Sequence, residues 1–330
     1  METRALGASG WAASAIGLGC MGMSDYYNYT PEDDPESVST VSAALDAGVT
    51  LLDSGDFYGM GHNELIIRDG IKGRRREDFS ISIKFGSLRN PWAGQFGTTG
   101  RPELVKTFIA YSLQRLGTDY IDFYFPSRPP RDVPIEDTIG AIADLIKEGK
   151  VRYLGVSEAT ADIVRRANAV HPVSALQIEY SIFSRDIERE TLPVARELGI
   201  GILAYGALSR GLLTGAVTST ASLRPGDNRH RFPRFAEQNL PQNLKLVAGL
   251  RSLADEKGIT LPQLCIAWVL AQGKDIVAVV GTKNRKRLAE NLASANITLT
   301  ADDLRRIDAL VPTGAVAGTR YGEMSSLPQQ

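Results

Sequence analysis

Along the chain, short runs of consecutive apolar residues alternate with longer stretches in which apolar positions recur every three or four residues. The short runs are AIGLGC (15–20), TLLDSG (50–55), FSISIKF (79–85), YIDFYF (120–125), VRYLGVS (151–157), ALQIEY (175–180), IGILAYG (200–206) and IVAVVGT (276–282). Rich in Val, Ile and Leu and often apolar on successive positions, they predict strands buried on both faces. The intervening stretches predict helices over 35–48, 63–71, 102–117, 135–150, 161–170, 189–199, 262–273 and 283–294. Several close on a glycine (Gly48, Gly117, Gly149, Gly199 and Gly273), as helix C-termini do. Eight strand–helix pairs in order, with no repeat of a dinucleotide-binding half, predict an α/β protein of one kind, a (β/α)8 TIM barrel. The expected layout is a single domain over 1–330 with a short N-terminal extension and an extra C-terminal helix. A long segment follows strand seven and includes an extra helix around 242–257. Loops of that length in compact domains are usually functional or disordered. The tail after 311 reads as irregular.

Composition narrows the function classes. The 330 residues carry 37 basic and 38 acidic side chains, a net charge of −1. Such balance gives no broad electrostatic footprint for nucleic acid or an acidic membrane. No run approaches the roughly 18 apolar residues of a membrane span. The N-terminus lacks the charged-then-apolar order of a signal peptide, so the cytoplasm is the expected compartment. Cys20 and Cys265 can neither staple a chain of this size nor build a cysteine-rich zinc site. His62, His171 and His230 are far apart and no HExxH occurs. The expected chemistry is therefore metal-free and uses few imidazoles.

One motif misleads. Gly17-Leu18-Gly19-Cys20-Met21-Gly22 spells GxGxxG after a predicted strand. In a dinucleotide-binding fold those glycines open a helix whose N-terminus holds the pyrophosphate. Here a polar, turn-rich stretch follows and the next helix begins only near Pro35. The expectation is a glycine-rich strand end at a crowded barrel mouth.

Active sites of β/α barrels lie at the C-terminal ends of the strands. Those ends carry Asp53 and Tyr58 after strand two, Lys84 on strand three, Ser127 after strand four and Ser157 with Glu158 on strand five. Gln177 lies in strand six and Tyr205 in strand seven. Spacing alone leaves two readings of Asp53, Tyr58 and Lys84. In one, Lys84 lowers the Tyr58 pKa and Asp53 keeps the lysine charged, making a proton donor. In the other, Asp53–Lys84 is a structural ion pair and Tyr58 a rim aromatic. Tyr26, Tyr27, Trp92 and Phe96 are candidate walls of a substrate pocket. His62 reads as a loop histidine beside a helix capped by Asn63, and Arg128 as the partner of a carboxylate under the rim.

Six segments, LLDSGDFYG with a following NE, SIKFG, VRYLGVSE, ALQIEYS, ILAYGALSRGLLTG and VVGTKNRKRLAEN, together resemble the aldo-keto reductase family over about residues 15–310. The resemblance implies a (β/α)8 barrel that binds NADPH without a Rossmann fold and reduces aldehydes and ketones, a small-molecule carbonyl being its partner. It implies catalytic roles for Asp53, Tyr58 and Lys84. The fourth catalytic residue of the family is a histidine in a segment commonly reading LYYQHR. Here the segment is Phe123-Tyr124-Phe125-Pro126-Ser127-Arg128, with Ser127 in the histidine's place. Serine does not titrate and is a weaker oxyanion donor. By the same resemblance Ser157 and Gln177 meet the nicotinamide carboxamide and Tyr205 stacks on its ring. Leu208, Arg210 and Gly211 meet the pyrophosphate, while Gly281, Thr282, Lys283 and Arg287 meet the adenosine phosphate, with Glu290 and Asn291 near the adenine. Lys283 and Arg287, four apart beside a helix N-terminus, suit a 2′-phosphate and favour NADPH over NADH. Two other functions stay open: reduction of an imine or activated C=C bond, prompted by Ser127, and a weakly catalytic NADPH-binding regulator.

Overall fold

The computed structural model describes residues 1–24, 26–90, 92 and 94–322, without the Phe96 side chain. Eight strands close into a parallel barrel: β1 (Ile16–Gly19), β2 (Leu51–Gly55), β3 (Ser80–Phe85), β4 (Ile121–Pro126), β5 (Val151–Ser157), β6 (Ala175–Glu179), β7 (Gly201–Tyr205) and β8 (Ile276–Gly281). Each lies within a residue of its predicted span. Consecutive strands are neighbours, and β8 closes on β1 through the register Ala278↔Ile16 to Gly281↔Gly19. Around the barrel run α1 (Asp34–Asp46), α2 (His62–Gly70), α3 (Pro102–Leu116), α4 (Ile135–Lys147), α5 (Ala161–Val170), α6 (Thr191–Glu197), α7 (Leu240–Glu256), α8 (Leu261–Ala271), α9 (Arg285–Ala293) and α10 (Ala301–Leu310). The helix α7 is the extra one inserted after strand seven, and α10 is the extra C-terminal one. No helix of the described residues is long and apolar enough to cross a membrane.

Strand side chains alternate between the barrel interior and the helix layer. Leu51, Phe123, Phe125, Ala175, Leu203, Val277 and Val279 form the inner cluster. A larger outer cluster fills the space between strands and helices. The N-terminal extension is ordered as a hairpin, Thr3–Ala5 with Ala12–Ser14. Its Leu6 and Trp11 join the inner cluster, with the Trp11 ring edge-on to Phe123 at 4.5 Å. The indole N–H donates at 2.9 Å to the Oγ of Ser80, the first residue of β3. The hairpin therefore closes the end of the barrel opposite the strand C-termini.

The glycine-rich decoy resolves as expected of a strand end. The strand β1 stops at Gly19, a single 3-10 turn follows at Met21–Met23, and α1 starts only at Asp34. A side chain at Gly17 would press on Leu51 within 3.0 Å, so this glycine serves packing across the barrel.

Within the barrel wall, volume is tightly constrained at Gly155 of β5. A Cβ there would lie 2.0 Å from Phe125 Cε1, and that ring is itself packed against Phe123 at 5.8 Å. Gly155→Ala is expected to lower stability by about 1–3 kcal/mol through overpacking, read by urea unfolding. Pairing it with Phe125→Leu is expected to recover part of the loss, whereas equal stability of Gly155→Ala and the parent would refute the packing account.

Candidate functional site

The C-terminal ends of the strands bring together residues that are far apart in sequence. The two strands pair so that Asp53 of β2 lies opposite Ser82 of β3 and Gly55 opposite Lys84. Asp53 Oδ2 accepts from Lys84 Nζ at 2.8 Å, and both side chains are buried. The other carboxylate oxygen accepts from Ser82 Oγ at 2.9 Å and from Gln177 Nε2 of β6 at 2.6 Å. Burying an ion pair is tolerable only when the remaining lone pairs find donors, and here three side chains from two other strands supply them.

After β2 the chain turns through Tyr58–Gly61, where Gly59 and Gly61 take left-handed φ of 56° and 98°. This turn delivers the buried Tyr58 ring to the Lys84 ammonium, which lies 5.1 Å from the ring centroid. Phe57 packs edge-on to it at 4.7 Å and Tyr26 at 5.4 Å. A second hairpin, Ser87–Asn90 with Gly94–Thr98, occupies what the sequence presented as a plain glycine-rich loop. Its Arg89 donates to the Tyr26 hydroxyl at 3.3 Å and to the Phe57 carbonyl at 3.2 Å.

The Tyr58 phenol has a pKa well above the usual tyrosine value. Burial is the main cause and the Asp53 charge adds to it; the cation that opposes them is Arg128. The net shift is thus upward rather than the lowering of the first reading, because burial and the Asp53 charge outweigh the nearby cations. The lysine charge is engaged by Asp53 at 2.8 Å, so the phenol stays protonated at neutral pH.

Ser127 follows β4 and is only 3% exposed. Its N–H donates to the Phe85 carbonyl at 2.8 Å, while its Oγ is buried without a hydrogen-bond partner. Ser157 Oγ at the end of β5 and Ser209 Oγ after β7 are likewise buried and unpartnered. Ser209, Arg210 and Gly211 are consecutive left-handed residues, an uncommon backbone that turns successive amides toward one side. Lys283 Nζ is paired with Asp33 Oδ2 at 2.6 Å. Arg287, on the first turn of α9, is exposed and has no partner among the described residues. Thr282 is buried and Gly281 exposed; Asn291 is buried on α9, and the Glu290 carbonyl accepts from Gln263 at 3.3 Å. Leu208 precedes the left-handed turn and packs on the core.

Three expectations need adjustment. Trp92 is 86% exposed and walls nothing in this arrangement; the Phe96 side chain lies outside the described residues. Tyr27 lies under the Arg229 guanidinium of the long segment at 5.2 Å, while still close enough to act on the Tyr58 phenol. Asn63 does not cap α2. Its side chain is buried, accepting from Ser54 Oγ and donating to the Cys20 carbonyl and Ser24 Oγ. His62 begins that helix and is held structurally between Ser24 Oγ at 2.8 Å and Asp34 Oδ2 at 3.0 Å.

A second polar cluster was missed by sequence reasoning. Glu179, at the end of β6, takes an ion pair from Arg210 at 3.1 Å, longer ones from Arg234 and Arg320, and a hydrogen bond from Ser184 Oγ at 2.7 Å. Glu158 accepts from the Tyr205 hydroxyl at 2.8 Å and is paired with Arg320 at 3.2 Å. The irregular tail returns to this cluster, its Tyr321 hydroxyl lying 2.5 Å from that of Tyr205. The clue for Glu179 was its place at a strand end, two residues beyond Gln177 on the same face. The tail carried no periodic signal at all.

Comparison with known proteins points one way. Residues 15–312 match the family model described as the aldo/keto reductase family. Probable aldo-keto reductase 1 of Glycine max is 40% identical over 321 residues, covering 96% of this chain and 90% of that protein. The aldo-keto reductase yakc of Schizosaccharomyces pombe, whose name specifies NADP(+), is 41% identical over 312 residues, covering 93% and 91%. Among solved structures, the glycerol dehydrogenase AKR11B4 of Gluconobacter oxydans superposes with a TM-score of 0.83 at 27% identity, covering 93% and 94%. The holo form of aldo-keto reductase AKR11C1 of Bacillus halodurans gives 0.78 at 26%, covering 94% and 96%.

The Glu179 cluster makes acid stability a readout of the site. Burial alone would raise the Glu179 pKa, but Arg210, Arg320 and Arg234 with the Ser184 hydroxyl outweigh it and pull it down to about 2. A depressed carboxylate stabilises the fold above its unfolded pKa, and that stability is lost as pH falls through the folded value. The parent is therefore expected to lose on the order of 3 kcal/mol between about pH 4.5 and pH 2 through this group. Glu179→Gln is expected to be less stable at pH 7 and to show a shallower loss over that acid range in chemical denaturation. Parallel stability–pH curves for the two proteins would contradict this.

Proposed function

The chain belongs to the aldo/keto reductase family, and on that premise we propose that it is an NADPH-dependent reductase of an aldehyde or ketone, with Tyr58 as the proton donor. The observation that carries the reading is the buried Asp53–Lys84 pair beneath the Tyr58 ring, at 2.8 Å and 5.1 Å, at the strand ends of the barrel. A structural ion pair needs no phenol above it, whereas a proton donor needs a protonated hydroxyl in a dry site next to cationic charge.

The residues suit the cofactor. The unpartnered Ser157 Oγ sits where a carboxamide needs a hydroxyl, and Gln177 stands one strand away. The left-handed stretch at Ser209–Gly211 offers backbone amides and the Arg210 charge to a diphosphate. Arg287 is available to a 2′-phosphate, while Lys283 has part of its charge engaged by Asp33. Bound NADPH supplies the hydride that its nicotinamide C4 gives to the carbonyl carbon. Tyr58 gives its proton to the carbonyl oxygen, and the Lys84 and Arg128 charges stabilise the phenolate left behind. Ser127 Oγ, buried and without a partner, donates to the same oxygen in the place where relatives use an imidazole. A cytoplasmic setting suits the two buried free thiols, Cys20 and Cys265.

Steady-state NADPH oxidation over a panel of aldehydes and ketones tests the reading. Tyr58→Phe is expected to lower kcat by about 10²–10⁴-fold with NADPH binding retained. Full activity in that variant would overturn the proton-donor assignment. Arg287→Ala is expected to weaken NADPH binding by about 10-fold or more while leaving NADH binding much less affected, measured by titrating cofactor fluorescence. Equal effects on the two cofactors would remove Arg287 from the 2′-phosphate site.

A further inference from the structure

Among the described residues, one arginine at the barrel mouth has no ion-pair partner. Among the described residues, Arg128, Arg210, Arg234 and Arg320 gather around two buried carboxylates, Glu158 and Glu179. Arg210 and Arg234 face Glu179, and Arg320 bridges Glu179 and Glu158. Arg128 is different. Its Nη1 donates to the Ser127 carbonyl at 2.7 Å, its Nη2 donates to the Tyr321 hydroxyl at 3.1 Å, and its guanidinium lies 5.5 Å from the Tyr321 ring centroid. All of these partners are neutral, and no carboxylate of the described residues lies within ion-pair distance. Among the described residues the expected carboxylate under the rim makes no ion pair with Arg128: Glu158, whose charge does act on it, is paired with Arg320 instead.

A half-buried guanidinium whose direct partners among the described residues are all neutral is a place where a ligand can supply the counter-charge. Arg128 follows directly on Ser127, whose hydroxyl is unpartnered, and its charge acts on Tyr58. Arg210 packs on the same Tyr321 ring at 4.8 Å but is paired with Glu179 and belongs to the left-handed stretch assigned to the cofactor diphosphate, which leaves Arg128 for the substrate. Its planar fork suits two oxygens at once, and the single phenol oxygen of Tyr321 is a monodentate partner that a carboxylate can replace.

We propose that Arg128 binds a carboxylate of the substrate, so that the preferred acceptors are carbonyl compounds bearing a nearby carboxylate rather than neutral aldehydes. The inference rests on the carbonyl-reductase reading and names the substrate class for that same site. Tyr321 fills the carboxylate position in the free enzyme and yields it on binding. The Ser127 substitution fits: where a neutral hydroxyl replaces the orienting imidazole, a second charged contact fixes the substrate instead.

The test uses the matched pair 4-carboxybenzaldehyde and benzaldehyde with NADPH. The parent is expected to favour the carboxylate by about 10–100-fold in kcat/KM. Arg128→Gln is expected to abolish most of that preference, chiefly through KM, and Arg128→Lys, which keeps the charge but loses the fork, to fall between. No preference in the parent, or the same preference in Arg128→Gln, overturns the proposal. Calorimetric titration of benzoate and benzamide into the protein–NADP(+) complex gives a readout independent of turnover and of any variant. Binding of benzoate but not benzamide supports Arg128 even if neither aldehyde is reduced, an outcome that would defeat only the carbonyl-reductase reading. Equal binding of the two, or none, overturns the carboxylate site itself.

Discussion

The Asp53 carboxylate lies inside a closed barrel, where its charge is tolerable only because three groups meet it. Lys84 neutralises it at 2.8 Å, and Ser82 and Gln177 fill the remaining acceptor positions at 2.9 and 2.6 Å. Removing Lys84 alone would leave an uncompensated buried charge, a loss on the order of 3–5 kcal/mol. The set also fixes geometry across the barrel. Strands β2, β3 and β6 contribute to it, so their relative register is tied to the chemistry above. Tyr58 depends on this arrangement in turn, because its ring is held over the lysine while burial keeps its hydroxyl protonated.

Everything around this pair serves to keep the strand ends dry on one side and reachable on the other. The N-terminal hairpin closes the opposite end with Leu6 and Trp11. Alternating inward side chains fill the middle, tightly enough that Gly155 has no room for a methyl beside Phe125. At the open end the packing changes character. Glu158 and Glu179 organise Tyr205, Arg210, Arg234 and Arg320 into a network, and the tail adds Tyr321. This network holds two acceptors in place and leaves Arg128 without an ion-pair partner among the described residues.

The barrel was legible in the sequence because a strand buried on both faces must be apolar on successive positions. The eight runs leave no other reading of their order, and the observed strands match the predicted ones within a residue. Asp53, Tyr58 and Lys84 were legible for a related reason, since polar residues at the ends of apolar runs are conspicuous. The two hairpins were not. Thr3–Ala5 with Ala12–Ser14, and Ser87–Asn90 with Gly94–Thr98, are short and carry no sustained alternation. Asn63 was misread as a cap because its type suits that position equally well, and only packing directed it to Cys20 and Ser54.

The sequence by itself thus determined the strand order, the closed barrel and the identity of the polar residues at its mouth. These follow from local apolar periodicity, which acts over a few residues at a time. Tertiary structure decided which charges meet. Arg128 meets the carbonyl of its chain neighbour Ser127, but its other partner is Tyr321, 193 positions away. The carboxylates within reach belong to Arg210, Arg234 and Arg320. Coulomb interactions depend on distance in space and on burial, and neither is written in the spacing of residues along the chain.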